Sequence, residues 1–162
     1  MSGNKLPLIC WDSCVFLAWF KKEGDKPLDA IQEILTAISN DKLILLVSAV
    51  CCTEVLNESG KSDARTQFNG FVKRRSVQMV DVDWRIANLA ADIREWTKAE
   101  CDAKRLAKSV RAPDALIIAT AVTYHADQLH TFDPDMLAIS AQPIIKGLPI
   151  LRPDSTPPGH LF

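Results

Sequence analysis

Short apolar runs without helical period alternate along this chain with longer stretches whose apolar residues recur every three or four positions, and that rhythm leaves few folds open. Leu6 to Trp11, Leu43 to Val47, Val77 to Val82, Asp127 to Thr131 and Leu148 to Leu151 read as strands. The first is followed by a helical region through Val15 to Phe20. Ala30, Ile31, Ile34, Leu35 and Ile38 then mark an amphipathic helix. Ser48 is a suitable N-cap for a segment holding Val50, Glu54, Val55 and Glu58, and Ile86, Leu89, Ala90, Ile93 and Trp96 form another apolar stripe. Pro113 opens a helix that is apolar on nearly every face through Val122, which makes that helix central, and Asp135 to Ile139 forms a short one. Strands apolar on both faces must be covered on both faces. The prediction is an α/β fold, a three-layer α/β/α sandwich with a mostly parallel central sheet and right-handed crossovers.

The 162 residues, 48% of them hydrophobic, suffice for a single core without disulfide or metal staples. No repeat or Gly/Ser linker divides the chain, so one domain is expected over residues 1–152. A Pro-rich tail, 153–162, is expected to be extended or to pack on a partner. No apolar stretch approaches the roughly 20 residues of a membrane span, and the N-terminus is too short for a secretion signal, so the expectation is a cytoplasmic protein with no membrane contact. The five cysteines are odd in number, lack a C-x-x-C pair and have no histidine at zinc-ligand spacing. Cys10, Cys51 and Cys52 read as small buried hydrophobes. None of His125, His130 and His160 is assigned to catalysis, and Trp19, Phe20, Trp84 and Trp96 read chiefly as core.

Acidic residues fall at the ends of these elements. Asp12 follows the first strand, Glu54 lies in the helix after the second, Asp114 opens the buried helix and Asp133 follows the strand ending near Thr131. In parallel sheets, ligands bind beyond the carboxyl ends of the strands, and all four acids can face one such crevice. Each has a mundane alternative: Asp114 as a dipole-compensating helix-start residue, Asp12 as a turn residue. Together they are harder to explain. Clustered carboxylates raise one another's pKa and are costly to keep ionised without cations. Oxygen ligands without Cys or His favour a hard ion, Mg²⁺ or Mn²⁺. Such a metal polarises a phosphodiester and lowers the pKa of a bound water, which points to hydrolysis of a nucleic acid backbone.

The segments Ile9-Cys10-Trp11-Asp12-Ser13-Cys14, Ser48 to Leu56, Pro113-Asp114-Ala115-Leu116-Ile117-Ile118-Ala119-Thr120-Ala121 and Leu129-His130-Thr131-Phe132-Asp133 resemble, in order and spacing, the PIN-domain nucleases, and more narrowly the VapC-like toxins of toxin–antitoxin pairs. The resemblance spans residues 6 to about 140. It implies a metal-dependent endoribonuclease in which Asp12, Glu54, Asp114 and Asp133 are both the catalytic acids and the ligands of one or two Mg²⁺ or Mn²⁺ ions. Ser13 and Thr131 match hydroxyl positions that orient an acid or a metal-bound water. Asp135 is a further ligand candidate, read more readily as the residue that starts the helix after Pro134. Glu58, one turn beyond Glu54, could share the cleft but reads more readily as part of a solvated helix face. A small antitoxin with a helical segment over hydrophobic grooves is the implied partner, with a homodimer as a second association. The chain departs from the family at Tyr124-His125-Ala126, where a glycine is usual.

Net charge is −1, so nucleic-acid affinity must come from local clusters. Lys73, Arg74 and Arg75 form one, and Lys98, Lys104, Arg105, Lys108 and Arg111 gather upstream of Asp114, giving the acids a basic rim for RNA phosphates. Two other readings are a non-catalytic RNA-binding module and an aspartate-based phosphoacceptor or phosphatase. The latter wants an acid two residues after Asp12, where Cys14 stands, and no Gly-rich phosphate loop is present.

Overall fold

The structure, a computed structural model, describes residues 5–58 and 62–155. Along the chain run β1 (Leu8–Trp11), α1 (Ser13–Lys21), α2 (Leu28–Ser39), β2 (Ile44–Ser48), α3 (Ala49–Glu58), α4 (Ser62–Phe71), β3 (Val77–Val80), α5 (Trp84–Asp102), α6 (Ala112–Thr123), β4 (Gln128–His130), α7 (Pro134–Leu137) and β5 (Ile150–Leu151). The strands form one parallel sheet in the order β3-β2-β1-β4-β5. From β1 the chain winds outward through β2 to β3. Helices α5 and α6 then carry it back across the sheet to β4, on the other side of β1. Right-handed crossovers in opposite directions put their helices on opposite faces. Accordingly α1 packs on α2 and α3, α3 on α4, and α5 on α6.

This reversal makes the carboxyl ends of β1 and β4 a topological switch point, where adjacent connections diverge and open a crevice. Register fixes what lines it. Trp11 pairs with His130, and the Asp12 N–H donates to the His130 carbonyl at 3.0 Å, so residues 12 and 131 leave the sheet side by side. At the other end of the pair, the Asp127 carboxylate accepts from the Leu8 N–H at 2.8 Å and holds β4 in that register.

The core explains why these segments form these elements. All four residues of β1 are buried, as are Leu45, Leu46 and Val47 of β2. Under the sheet, Trp11, Phe16 and Phe68 meet edge to face, with ring centroids 5.2 and 5.4 Å apart. Ala115, Ile117, Ile118, Ala119, Ala121 and Val122 of α6 are buried, in keeping with a helix apolar on nearly every face. Burying each such Ile or Leu is worth about 1.5–3 kcal/mol.

Several boundaries differ from the sequence reading. Leu6 and Val82 lie outside their strands and are 39% and 38% exposed. Trp84, read as core, is 79% exposed. It occupies the first turn of α5, whose N-cap Asp83 accepts from the Ile86 N–H. Ser48 is the last residue of β2 and is buried, with its hydroxyl oxygen 3.2 Å from the Thr120 hydroxyl that donates to it. Helix α6 begins at Ala112, one residue before Pro113. Helix α4 was not anticipated: Phe68 is its fully buried residue and most of the rest faces solvent, which leaves almost no apolar period. At Tyr124-His125-Ala126, His125 itself takes the left-handed conformation, φ 56°. Its N–H donates to the Val122 carbonyl and that of Ala126 to the Ala121 carbonyl, a complete helix-terminating turn without glycine. Beyond β5, Pro153 is buried and the turn Pro153–Ser155 packs against α2. The remaining tail residues, 156–162, lie outside the described residues.

Candidate active site

Asp12 directly follows β1 and caps α1, and is 3% exposed. Its Oδ1 accepts from the Ser13 N–H at 2.7 Å and lies 3.2 Å from the Ser13 hydroxyl. Its Oδ2 accepts from the Thr131 hydroxyl at 2.7 Å and the Cys14 thiol at 3.0 Å. The Ser13 N–H, the Thr131 hydroxyl and the Cys14 thiol thus fix one carboxylate from both sides.

The remaining acids are tied to Asp12 through its partners. The Ser13 hydroxyl also makes a short contact with Glu54 Oε2, from α3. A hydroxyl has one proton, so it cannot donate to both carboxylates at once, and the Asp12–Glu54 approach is left short of positive charge. Thr131 Oγ1, besides donating to Asp12, accepts from the Asp133 N–H at 2.9 Å. Asp133 caps α7, its Oδ1 accepting from the N–H groups of Asp135 and Met136. Asp135 lies in the first turn of α7, as a helix-start acid would, but the capping bonds are made by Asp133. Pro134 occupies the first helical position, so the cap falls to the residue before it. Asp135 lends its backbone to Asp133.

Asp114, in the first turn of α6, is 3% exposed. The Arg111 guanidinium grips it with Nε 2.9 Å from Oδ2 and an Nη 3.2 Å from Oδ1, and that Nη stands 3.9 Å from Asp133 Oδ2. Burial pushes the Asp114 pKa up to about 6; Arg111 pulls against this, while Asp12 and Asp133 push the same way. Arg111 is in turn held protonated by Asp114 first, then by the charges of Asp133 and Glu54. Ser13, Thr131 and Arg111 therefore link all four predicted acids around the β1–β4 crevice. The side chain of Glu58 lies outside the described residues.

The donor chemistry, carboxylate and hydroxyl oxygens with uncompensated negative charge, fits a hard divalent cation. As the side chains stand, no three His, Cys, Asp or Glu among the described residues are grouped closely enough to hold one. The acids are instead engaged by protein donors, and Arg111 takes both oxygens of Asp114. The thiols offer no competing chemistry: burial raises the pKa of Cys10, Cys14 and Cys51 far above the ordinary value, with the Asp12 charge adding to it.

Arg74 hydrogen-bonds Ser39 and stacks on Phe71, and Arg105 is paired with Glu100. Of the predicted rim residues, Arg111 is the one joined to the acids by contacts among the described residues. Two cations absent from the prediction, Lys26 and Arg152, sit over the Phe132 ring at 5.4 and 5.2 Å, one residue from Asp133. Sheet order alone brings Arg152 there, since β5 flanks β4. Cys14 was also missed as a donor to Asp12, although its place two residues on, in the first turn of α1, was a usable signal. On the face formed by α1, α2 and α4, Trp11, Phe16, Trp19, Phe20, Leu35 and Phe71 line an apolar cavity of about 450 Å³ with Arg74 at its edge.

A family model, the PIN domain, matches residues 9–142. The chain belongs to the PIN-domain family, a family of nucleases. Solved structures similar to it include proteins of toxin–antitoxin systems. A toxin–antitoxin complex from Klebsiella pneumoniae aligns over 90% of this chain and 97% of its own, with TM-score 0.62 and 16% identity. VapBC2 from Rickettsia felis, bound to a DNA fragment from its promoter, aligns over 88% and 96%, at 0.60 and 14%. VapC20 of Mycobacterium tuberculosis, a Sarcin-Ricin loop cleaving toxin, aligns over 79% and 92%, at 0.56 and 16%. Comparison with curated protein sequences gives no match. No helix among the described residues is long and apolar enough to cross a membrane.

Proposed function

We propose that this PIN-domain protein is a Mg²⁺-dependent endoribonuclease and the toxin of a toxin–antitoxin pair. The observation that carries the reading is the linked set Asp12, Glu54, Asp114 and Asp133 at the switch point. Asp12, Asp114 and Asp133 would hold the ion, Mg²⁺ or Mn²⁺, with Glu54 binding it or orienting the attacking water. Bound there, the ion supplies Lewis-acid polarisation of the phosphodiester and a water of lowered pKa. The chain's own part is to hold Asp12 rigid through Ser13, Thr131 and Cys14, and to steer RNA backbone with Arg111, Lys26 and Arg152. With water as nucleophile the 2′-hydroxyl stays out of the reaction, so products carry 5′-phosphate and 3′-hydroxyl ends.

The apolar cavity between α1, α2 and α4 suits the apolar face of an antitoxin helix, consistent with the Klebsiella pneumoniae and Rickettsia felis assemblies. Exposed Trp84 and Val82 offer a surface for a homodimer. The test is cleavage of an RNA oligonucleotide with and without Mg²⁺. Asp12→Asn keeps the cap acceptor toward Ser13 but loses a charge, so the variant should fold and fail to cut. An Asp12→Asn protein as active as the wild type, with contaminating nucleases excluded, would refute the assignment. Arg111's hold on Asp114 favours one rival, a non-catalytic RNA-binding module. RNA binding without metal-dependent cleavage would decide for that rival.

A further inference from the structure

Arg111 stands where its surroundings, apart from the acids, do not favour a cation. It is the N-cap residue of α6 but makes no side-chain capping bond. A positive charge at a helix N-terminus opposes the macrodipole. Its side chain is 69% exposed, yet its planar fork is spent on a carboxylate that is 5% exposed, with Asp133 at 3.9 Å. The contact engages both Asp114 oxygens and sets a positive charge beside them, where it competes with any metal ion. At that exposure the guanidinium can swing toward solvent by side-chain rotation alone. One residue from Asp133, Lys26 and Arg152 lie over Phe132, each also paired with an aspartate, Asp25 and Asp154.

We propose that Arg111 is a tethered counterion that exchanges partners. In the metal-free crevice it neutralises Asp114 and Asp133; a divalent ion displaces it, and the released fork takes a phosphate of the RNA strand. The proposal rests on the metal-dependent reading above. A guanidinium matches a phosphate bidentately as well as a carboxylate, so one side chain serves both states.

The exchange gives a crossed signature that a merely structural arginine would not. Mn²⁺ affinity is measured by titration calorimetry at pH 8, and binding of a labelled RNA oligonucleotide by anisotropy with Ca²⁺ in place of Mg²⁺. Arg111→Gln removes the competitor, so Mn²⁺ should bind about two- to fivefold tighter than to the wild type. The same variant should bind RNA about five- to tenfold more weakly. Arg111→Lys keeps the charge but lacks the fork, and should fall between the two in both assays; it stands in if the glutamine variant fails to fold. Equal Mn²⁺ affinity across the folded variants, or unchanged RNA affinity, overturns the exchange while leaving the metal-dependent reading intact. Absence of Mn²⁺ binding in wild type and variants alike overturns both.

Discussion

Replacing Asp114 with asparagine should make the protein more stable at neutral and alkaline pH, because the fold keeps this carboxylate ionised at a cost. The group is 3% exposed, and burial raises its pKa from 3.8 to about 6, even with Arg111 in contact. A rise of about 2 units, at 1.36 kcal/mol per unit, is about 3 kcal/mol. The sign follows from linkage. The folded carboxyl holds its proton more tightly than the unfolded one, so the penalty is complete above pH 6, shrinks as pH falls from 6 toward 4, and is absent below both values. Asparagine carries no such penalty at any pH. In urea unfolding with a chelator present, Asp114→Asn should therefore exceed the wild type by about 3 kcal/mol at pH 8, a midpoint shift of about 1 to 2 M. The two proteins should converge near pH 3.5. Saturating Mg²⁺ should stabilise the wild type and narrow the gap at pH 8. Equal midpoints at pH 8, or a gain that persists unchanged at pH 3.5, would show that the carboxylate is not held against its solvation and that the cation deficit inferred for the crevice is absent.

Thr131→Val preserves shape but takes from Asp12 Oδ2 its 2.7 Å donor, leaving it the Cys14 thiol, and from the Asp133 N–H its 2.9 Å acceptor. It should cost about 2 kcal/mol in urea unfolding and lower cleavage, and a variant as stable as the wild type would refute the bridging role. His125→Gly relieves a left-handed residue at the end of α6. Offset by the flexibility glycine adds to the unfolded chain, it should raise stability by up to about 1 kcal/mol; a loss would mean that His125 makes a compensating contact.

Much of the fold was legible because its signals are local. β1 and β2 are buried on both faces and read as unbroken apolar runs, and α6 betrays its central place by having no polar side. Asp12 and Asp133 could be located because each directly follows a strand whose end the apolar pattern defines. What escaped was set by tertiary geometry. Helix α4 is anchored chiefly by Phe68, with Phe71 half-buried, so its sequence looks like a loop. Composition counted positive charges near Asp114 without saying which one reaches it. Five basic residues lie upstream, and three residues of helix spacing select Arg111. Lys26 and Arg152 are 126 positions apart and meet over Phe132 only because β5 lies beside β4. Pro134 takes the first helical position, so the cap falls to Asp133 while Asp135 sits in the first turn.

Anomalous scattering from crystals of the wild-type protein soaked in Mn²⁺ tests the shared cation most directly. The account predicts a peak in the β1–β4 crevice at bonding distance from carboxylate oxygens of Asp12, Asp114 and Asp133, with the Arg111 guanidinium turned away from Asp114. Ordered crystals in which Asp114 still grips Arg111 and no manganese lies among these acids, at concentrations that support cleavage, would contradict it.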